Sequence, residues 1–455
     1  MILDRIILVY AFPRAGALES YSATKPPKRG IMVRIAVLGL GSRGKNYGGH
    51  LSRNPNVRIV SVCDKYRNKI DKVKGKWNVP EDKCFTSDEE FFAQGKIADA
   101  MIIATQDRDH YGHAMRALEL GYDLILEKPV SPFIEQTLEI ERKAREKGAR
   151  VLVCHVLRYA PYYRRIKKMI DSGLLGDIVT IKHDENISYW HFAHSYVRGN
   201  WRREEETSPM LLAKCCHDMD LLYWYTGSKF AKVNSYGGLK YFTEKSAPEG
   251  SAARCADCAL RNTCIYDARY QYIGRPFRGK KFPWGTYAFC QSKSKADIAK
   301  SLEEGEKGRL FGRCVFRCDN DVVDNQTVNI EFENGVRCVM TVTAFNEKNH
   351  RHTEIRGTKG TLIADDSHSI LEFIPFDGRK RRIRVNLIPV VRGHYGGDQG
   401  LMKAAAAMLE NKADPDVLYT WISDTVESHR IVAAAEKSRK EGGRLVTGEE
   451  IPDIE

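Results

Sequence analysis

Apolar residues follow two different rhythms along this chain. From Val33 to Leu126 they come as short unbroken runs: Val33-Arg34-Ile35-Ala36-Val37-Leu38, Val57–Cys63, Ala98–Thr105 and Tyr122–Leu126. Stretches of helical spacing separate them, among them one near His110–Leu120. Continuous apolar strands alternating with helices predict a parallel sheet covered on both faces. Further on, Ile178–His183, Thr327–Glu333, Val336–Thr343, His352–Arg356 and Gly360–Ala364 read as strands joined by turns such as Glu333-Asn334-Gly335. Leu401–Leu409 and Trp421–Ala435 read as closing helices. The fold class is α/β: a doubly wound parallel sheet over about 32–154, then a second α/β domain over 155–455.

Composition narrows this. A chain of 455 residues with 42% hydrophobic content can fold as two or three domains, each with its own core. Apolar runs are too short for a transmembrane helix, so no membrane partner is expected. The net charge of +13 is spread thinly. Its densest stretch, Arg379-Lys380-Arg381-Arg382-Ile383-Arg384, reads as a charge-protected strand edge, so nucleic acid is not an expected partner either. An anionic substrate or cofactor accounts for the excess more simply. The short apolar run Ile6–Phe12 lacks a convincing cleavage site after it, so residues 1–31 are expected to be a disordered leader and the protein cytoplasmic.

The first strand ends in Gly39-Leu40-Gly41-Ser42-Arg43-Gly44 and a helix follows; the second strand ends in Asp64. In that setting Gly39 permits the tight turn, Gly41 lets backbone approach a pyrophosphate, and Gly44 allows close strand–helix packing. The helix start at Ser42 and Arg43 turns free N–H groups toward the phosphates. Asp64 suits both ribose hydroxyls and repels a 2′-phosphate, which favours NAD over NADP; Lys65 and Arg67 beside it soften that preference. Ligands of such sheets bind beyond the carboxyl ends of the strands, where Thr105, Gln106, His110, Glu127 and Lys128 stand.

These motifs, with Ala104-Thr105, Glu127-Lys128-Pro129, His217-Asp218-Met219-Asp220 and Gly393–Asp398, resemble the glucose–fructose oxidoreductase, inositol dehydrogenase and rhizopine-catabolism (Gfo/Idh/MocA) family. The resemblance implies a Rossmann domain followed by an α/β domain. The second domain's open, mostly antiparallel sheet would form the substrate cleft and often an oligomer interface, here a homodimer or tetramer. It also implies that Lys128 takes part in proton transfer beside the nicotinamide. A buried ammonium with its pKa lowered toward neutrality would serve that purpose. The family's second catalytic element is an Asp four residues before a His. The His matches His217, but the Asp position is Ala213, with Lys214 next to it. Asp218 or Asp220 could orient His217 instead.

Between Asp184 and Arg202 lies a polar–aromatic stretch with Tyr189, His191, His194, Arg198, Asn200 and Trp201. Flat aromatic faces with fixed donors and acceptors are what sugar recognition needs, and Arg158, Lys214 and Asp220 add charged groups to the substrate side. A separate insertion, about Leu239–Phe311, carries Cys255, Cys258 and Cys264. Three thiols at that spacing, with Cys314 (or Cys290 or Cys318) as a fourth, read as structural zinc; an iron–sulfur cluster or free thiols stay open. The functional expectation is an NAD-dependent oxidoreductase moving hydride between the cofactor and a hydroxyl of a sugar, glycoside or polyol, with Lys128 and His217 handling the proton. Two alternatives stand beside it: a redox-neutral glycosidase that oxidises, eliminates and reduces again, and a non-catalytic NAD-bound sensor.

Overall fold

The computed structural model describes residues 32–454 apart from 262, 275–284, 291, 293, 386–393 and 412–416. The expected leader over 1–31 and Gly393 lie outside the described residues.

Six strands form the first sheet: β1 (Val33–Leu38), β2 (Val57–Cys63), β3 (Cys84–Phe85), β4 (Ala100–Ile103), β5 (Asp123–Leu126) and β6 (Val151–Val153). All pair in parallel, in the order β3-β2-β1-β4-β5-β6. This is the doubly wound arrangement that the unbroken apolar runs require, since each strand must be covered on both faces. The order reverses between β1 and β4, which opens a crevice at their carboxyl ends.

The second sheet has nine strands: β7 (Ile178–Ser188), β8 (Phe230–Gly238), β9 (Asn325–Phe332), β10 (Arg337–Asn346), β11 (His350–Gly357), β12 (Gly360–Asp365), β13 (Ile370–Pro375), β14 (Arg381–Arg384) and β15 (Val446–Thr447). Their order is β14-β13-β12-β11-β7-β10-β9-β8-β15, with β7 and β10 parallel and the other pairs antiparallel. The basic stretch forms the edge strand β14, as its alternation predicts. β7 runs on through Ser188, so Asp184–Ser188, grouped by sequence with a polar stretch, are sheet. The helices Met210–Thr226 and Ile422–Lys440 close one face, sharing a core with β9 and β10.

One closing helix does other work. Leu401, Met402, Ala405 and Met408 of the helix Gly397–Leu409 pack with Ile35, Val37 and Ile102, completing the core of the first sheet. The chain therefore returns to its N-terminal unit after building the second. The insertion between β8 and β9 has a small core of its own: Cys255, Ala268, Tyr272, Ile298, Leu302 and Phe311.

Candidate functional site

The glycine loop is shaped by contacts that admit no side chain. Gly39 has φ +91°, and a Cβ there would lie 2.4 Å from the Ala104 carbonyl oxygen; one on Gly44 would lie 1.9 Å from the Gly39 oxygen. At Gly41 nothing stands within 4 Å, so this backbone faces open space at the start of the helix Ser42–Leu51. An open glycine beside an uncapped helix start fits a dinucleotide pyrophosphate. Asp64, buried at the end of β2, accepts from Leu40 N at 2.8 Å, from Tyr66 N at 2.9 Å and from Lys69 Nζ at 3.1 Å. Gln106 is exposed beyond β4, and Thr105 Oγ1 pairs with His113 Nδ1 at 3.1 Å. His110 Nδ1 donates to the Pro129 carbonyl at 2.7 Å, so it braces the end of β5. Arg43 spans Glu127 at 2.9 Å and Asp398 at 2.7 Å. Burial opposes the charge of Glu127, but Arg43 and Lys128 outweigh it and hold the carboxyl below its usual range.

Lys128 leaves β5 and crosses to the helix Met210–Thr226, where its ammonium donates to the carbonyl of Ala213 at 2.9 Å. Where the resemblance would place a carboxylate, this chain offers a backbone oxygen. Burial works against the Lys128 charge, yet Cys216, Glu127 and Asp107 more than offset it, so its pKa lies above the ordinary lysine value. The direction runs against an ammonium tuned toward neutrality.

One helical turn on, His217 is buried with its ring edge to His155 at 5.6 Å and to His394 at 6.0 Å, and among the described residues its Nδ1 has no hydrogen-bond partner. Burial, reinforced by the charge of Lys128, pushes its pKa well below the usual imidazole value, which favours the neutral ring. Neither candidate orienting acid serves it. Asp218 is bound to Arg351 at 2.6 Å and to His183 at 2.8 Å; Asp220 takes a two-pronged bond from Arg158 at 2.6 and 2.8 Å. Arg158 and Asp220 are both buried in this pair, which corrects their placing among sugar-reading groups.

Lys214 points to the second sheet, where Glu185 of β7 receives it at 2.9 Å and also receives Arg351 of β11 at 2.9 Å. His191 feels the Lys214 charge and bonds Asn349 Oδ1 at 3.0 Å; burial pushes its pKa down to about 3. Trp201 donates its indole N–H to Asp107 at 3.2 Å, Asn200 is exposed, and Tyr189 packs edge-on against Tyr266 at 5.8 Å. Glu185 belongs to the polar–aromatic stretch read from sequence, whereas Arg351, His155 and Asp107 were not singled out by sequence. The parity of β7 could have flagged Glu185, a carboxylate on the apolar-facing side.

His194 and Arg198 are taken up by the insertion. His194 bonds the Tyr272 hydroxyl at 2.8 Å and stacks on Phe311 at 4.9 Å. Arg198, fully buried, donates to the carbonyls of Arg313 and Tyr266, both at 2.7 Å. Their expected contact with substrate is corrected, because their polar atoms are committed to packing. Cys255, Cys258, Cys264 and Cys314 do border one common pocket. Yet among the described residues no group of three or more His, Cys, Asp or Glu side chains is gathered closely enough to hold a metal ion. Cys255 Sγ instead accepts from Ala268 N at 3.4 Å, and burial pushes the Cys264 and Cys314 thiols up, toward the protonated form. The arrangement does not support the expected zinc.

Among the described residues no helix is long and apolar enough to cross a membrane. Comparison with known proteins agrees with the architecture. Residues 33–155 match the oxidoreductase-family model with the NAD-binding Rossmann fold, and residues 167–447 match the model of that family's C-terminal alpha/beta domain. The Bacillus subtilis protein YteT is 25% identical over 328 residues, spanning 67% of this chain and 71% of that protein. The scyllo-inositol 2-dehydrogenase (NAD+) of the same organism is 24% identical over 208 residues, 46% of this chain and 58% of the enzyme. In fold, an oxidoreductase from Agrobacterium radiobacter, crystallised with NAD+, L-tartaric acid and magnesium, superposes with a TM-score of 0.64 at 14% identity, covering 92% of this chain and 99% of that one. With both domains of the model matched over most of its length, the chain belongs to the Gfo/Idh/MocA family of NAD-binding oxidoreductases.

Proposed function

We propose that the protein oxidises, or in reverse forms, a secondary hydroxyl of a sugar, glycoside or polyol, using NAD bound along the Gly39–Gly44 loop and Asp64. The observation that carries this is that the Lys128 ammonium reaches the Ala213 carbonyl, one helical turn before a His217 whose charge burial disfavours. When bound, NAD supplies the hydride acceptor; the chain must manage the hydroxyl proton. A neutral imidazole is the form that takes a proton, and an Nδ1 without a hydrogen-bond partner among the described residues supports that role. The Lys128 ammonium stabilises the oxygen as negative charge builds on it, without itself changing protonation. Lys214, set by Glu185, and His191 beside it are proposed to read substrate hydroxyls or a carboxylate. Sugar- and polyol-dependent reduction of added NAD+, screened with wild type and Lys128→Met, tests the reading. Turnover that survives Lys128→Met at the wild-type rate would remove Lys128 from the chemistry.

The absence of a carboxylate at Ala213 favours a second reading, a glycosidase that oxidises, eliminates the aglycone and reduces again. Release of aglycone without net change in NADH separates it from a dehydrogenase. A sensor role would require that Lys128 and His217 variants leave every activity unchanged. We also propose that the protein works in the cytoplasm as a homo-oligomer. Exposed Val179, Tyr236 and Val339 on the second sheet support association, which sedimentation can measure.

A further inference from the structure

The insertion reaches the other domain. Its helical segment Glu306–Phe311 brings Lys307 to the turn after β2, where Lys307 Nζ lies 4.5 Å from the centre of the Tyr66 ring. Lys69 lies over the same ring at 4.6 Å and Lys65 at 5.4 Å. Lys307 is the largest influence on the Tyr66 phenol and lowers its pKa, in keeping with the ammonium lying over the ring.

Tyr66 is bound into the candidate cofactor site. Its backbone N–H holds one oxygen of Asp64, while Leu40 of the glycine loop and Lys69 hold the other. Asp64 is where a dinucleotide's adenosine ribose is bound in sheets of this order. Lys307, far away in sequence, therefore stands at the adenosine end of that site. Lys45 belongs to the same cluster: burial lowers its pKa, and repulsion from Lys72 and Lys69 lowers it further. Lysines crowded around one buried carboxylate suit a polyanionic occupant.

Lys307 is held in place from behind. A Cβ on Gly308 would fall 1.8 Å from the Ser301 oxygen, so this helix lies directly on the one before it. At its far end Phe311 stacks on His194 and, at 4.8 Å, on Phe289. Arg254 bonds the Leu302 carbonyl at 2.6 Å, and Cys255 N bonds the Gly312 carbonyl at 3.0 Å. The cysteine-bearing loop and His194 thus serve as the footing of Lys307.

We propose that the insertion completes the cofactor site, with Lys307 acting as a retaining residue that closes on Tyr66 and slows the departure of the bound dinucleotide. This rests on the cofactor site assigned above and deepens it. A cofactor that leaves slowly suits a cycle in which the hydride returns to the product.

Stopped-flow displacement of NADH from the full-length protein by excess NAD+, followed by NADH fluorescence, tests it. Lys307 is exposed, so Lys307→Ala should stay folded without cofactor, its melting midpoint falling by no more than the loss of one exposed cation–π contact. It should speed NADH release about five-fold, the loss of one exposed cation–π contact. Lys307→Arg should restore the slow rate. Release from Lys307→Ala at the wild-type rate would overturn the inference and leave the cofactor reading standing. Wild-type protein that bound no NADH would overturn the cofactor reading, and this inference with it.

Discussion

Glu185 offers the sharpest test of how the site is held. Its side chain is 1% exposed, and it is shared by Lys214 and Arg351, each at 2.9 Å. Glu185→Gln preserves the shape and removes one negative charge. Arg351 keeps Asp218 at 2.6 Å, but Lys214 loses its only ion-pair partner among the described residues. Breaking a buried pair costs about 3–5 kcal/mol. Lys214 is 18% exposed and can turn partly to water, so about 2–3 kcal/mol is expected here. At 1.36 kcal/mol per decade this is about a 30- to 150-fold fall in the folding constant. The assay is urea unfolding followed by tryptophan fluorescence, with Trp190, Trp201 and Trp224 reporting on the second domain. Removing the orphaned cation as well, in Glu185→Gln/Lys214→Met, should restore at least half of the loss. A single variant within about 0.5 kcal/mol of wild type, or a double variant that merely adds the two single effects, would refute the claim that Glu185 holds Lys214.

Acid should unfold the protein through its buried neutral histidines. Burial pushes His194 and His429 down to about 3, below the unfolded 6.5, so the unfolded chain takes up protons first as pH falls. Their penalty begins below pH 6.5, and at pH 5.5 the two together remove about 3 kcal/mol; a urea midpoint that stayed flat from pH 7.5 to 5.5 would contradict this. Lys128→Met should lower kcat by about 100-fold or more while changing NADH affinity only a few-fold, as expected for a charge that acts on the reacting oxygen. Comparable losses in both would place Lys128 in cofactor binding instead. Because nothing stands within 4 Å of a Cβ at Gly41, Gly41→Ala should keep its melting midpoint yet weaken NADH binding about ten-fold or more, measured by fluorescence titration. Unchanged affinity would mean that the pyrophosphate does not lie on that glycine.

The sequence alone determined what depends on neighbours along the chain. Unbroken apolar runs prescribed a sheet buried on both faces, and alternation with turn residues prescribed the hairpins of the second sheet. The glycines of the loop were legible because their demand is on local backbone: Gly39 needs a positive φ, and Gly44 must approach the strand that precedes it. Tertiary structure decided everything that depends on which charge meets which. Glu127 and Asp107 act together to raise the Lys128 pKa, and no spacing announces that Glu185 lies between Lys214 and Arg351. Arg198 and His194 look like ligand-reading residues in a polar–aromatic stretch, but the insertion folds over them and takes their hydrogen bonds. Lys307 is one lysine among many until the chain returns it to Tyr66. Burial and Coulomb energy are set by three-dimensional proximity, whereas periodicity and backbone strain are written in consecutive residues.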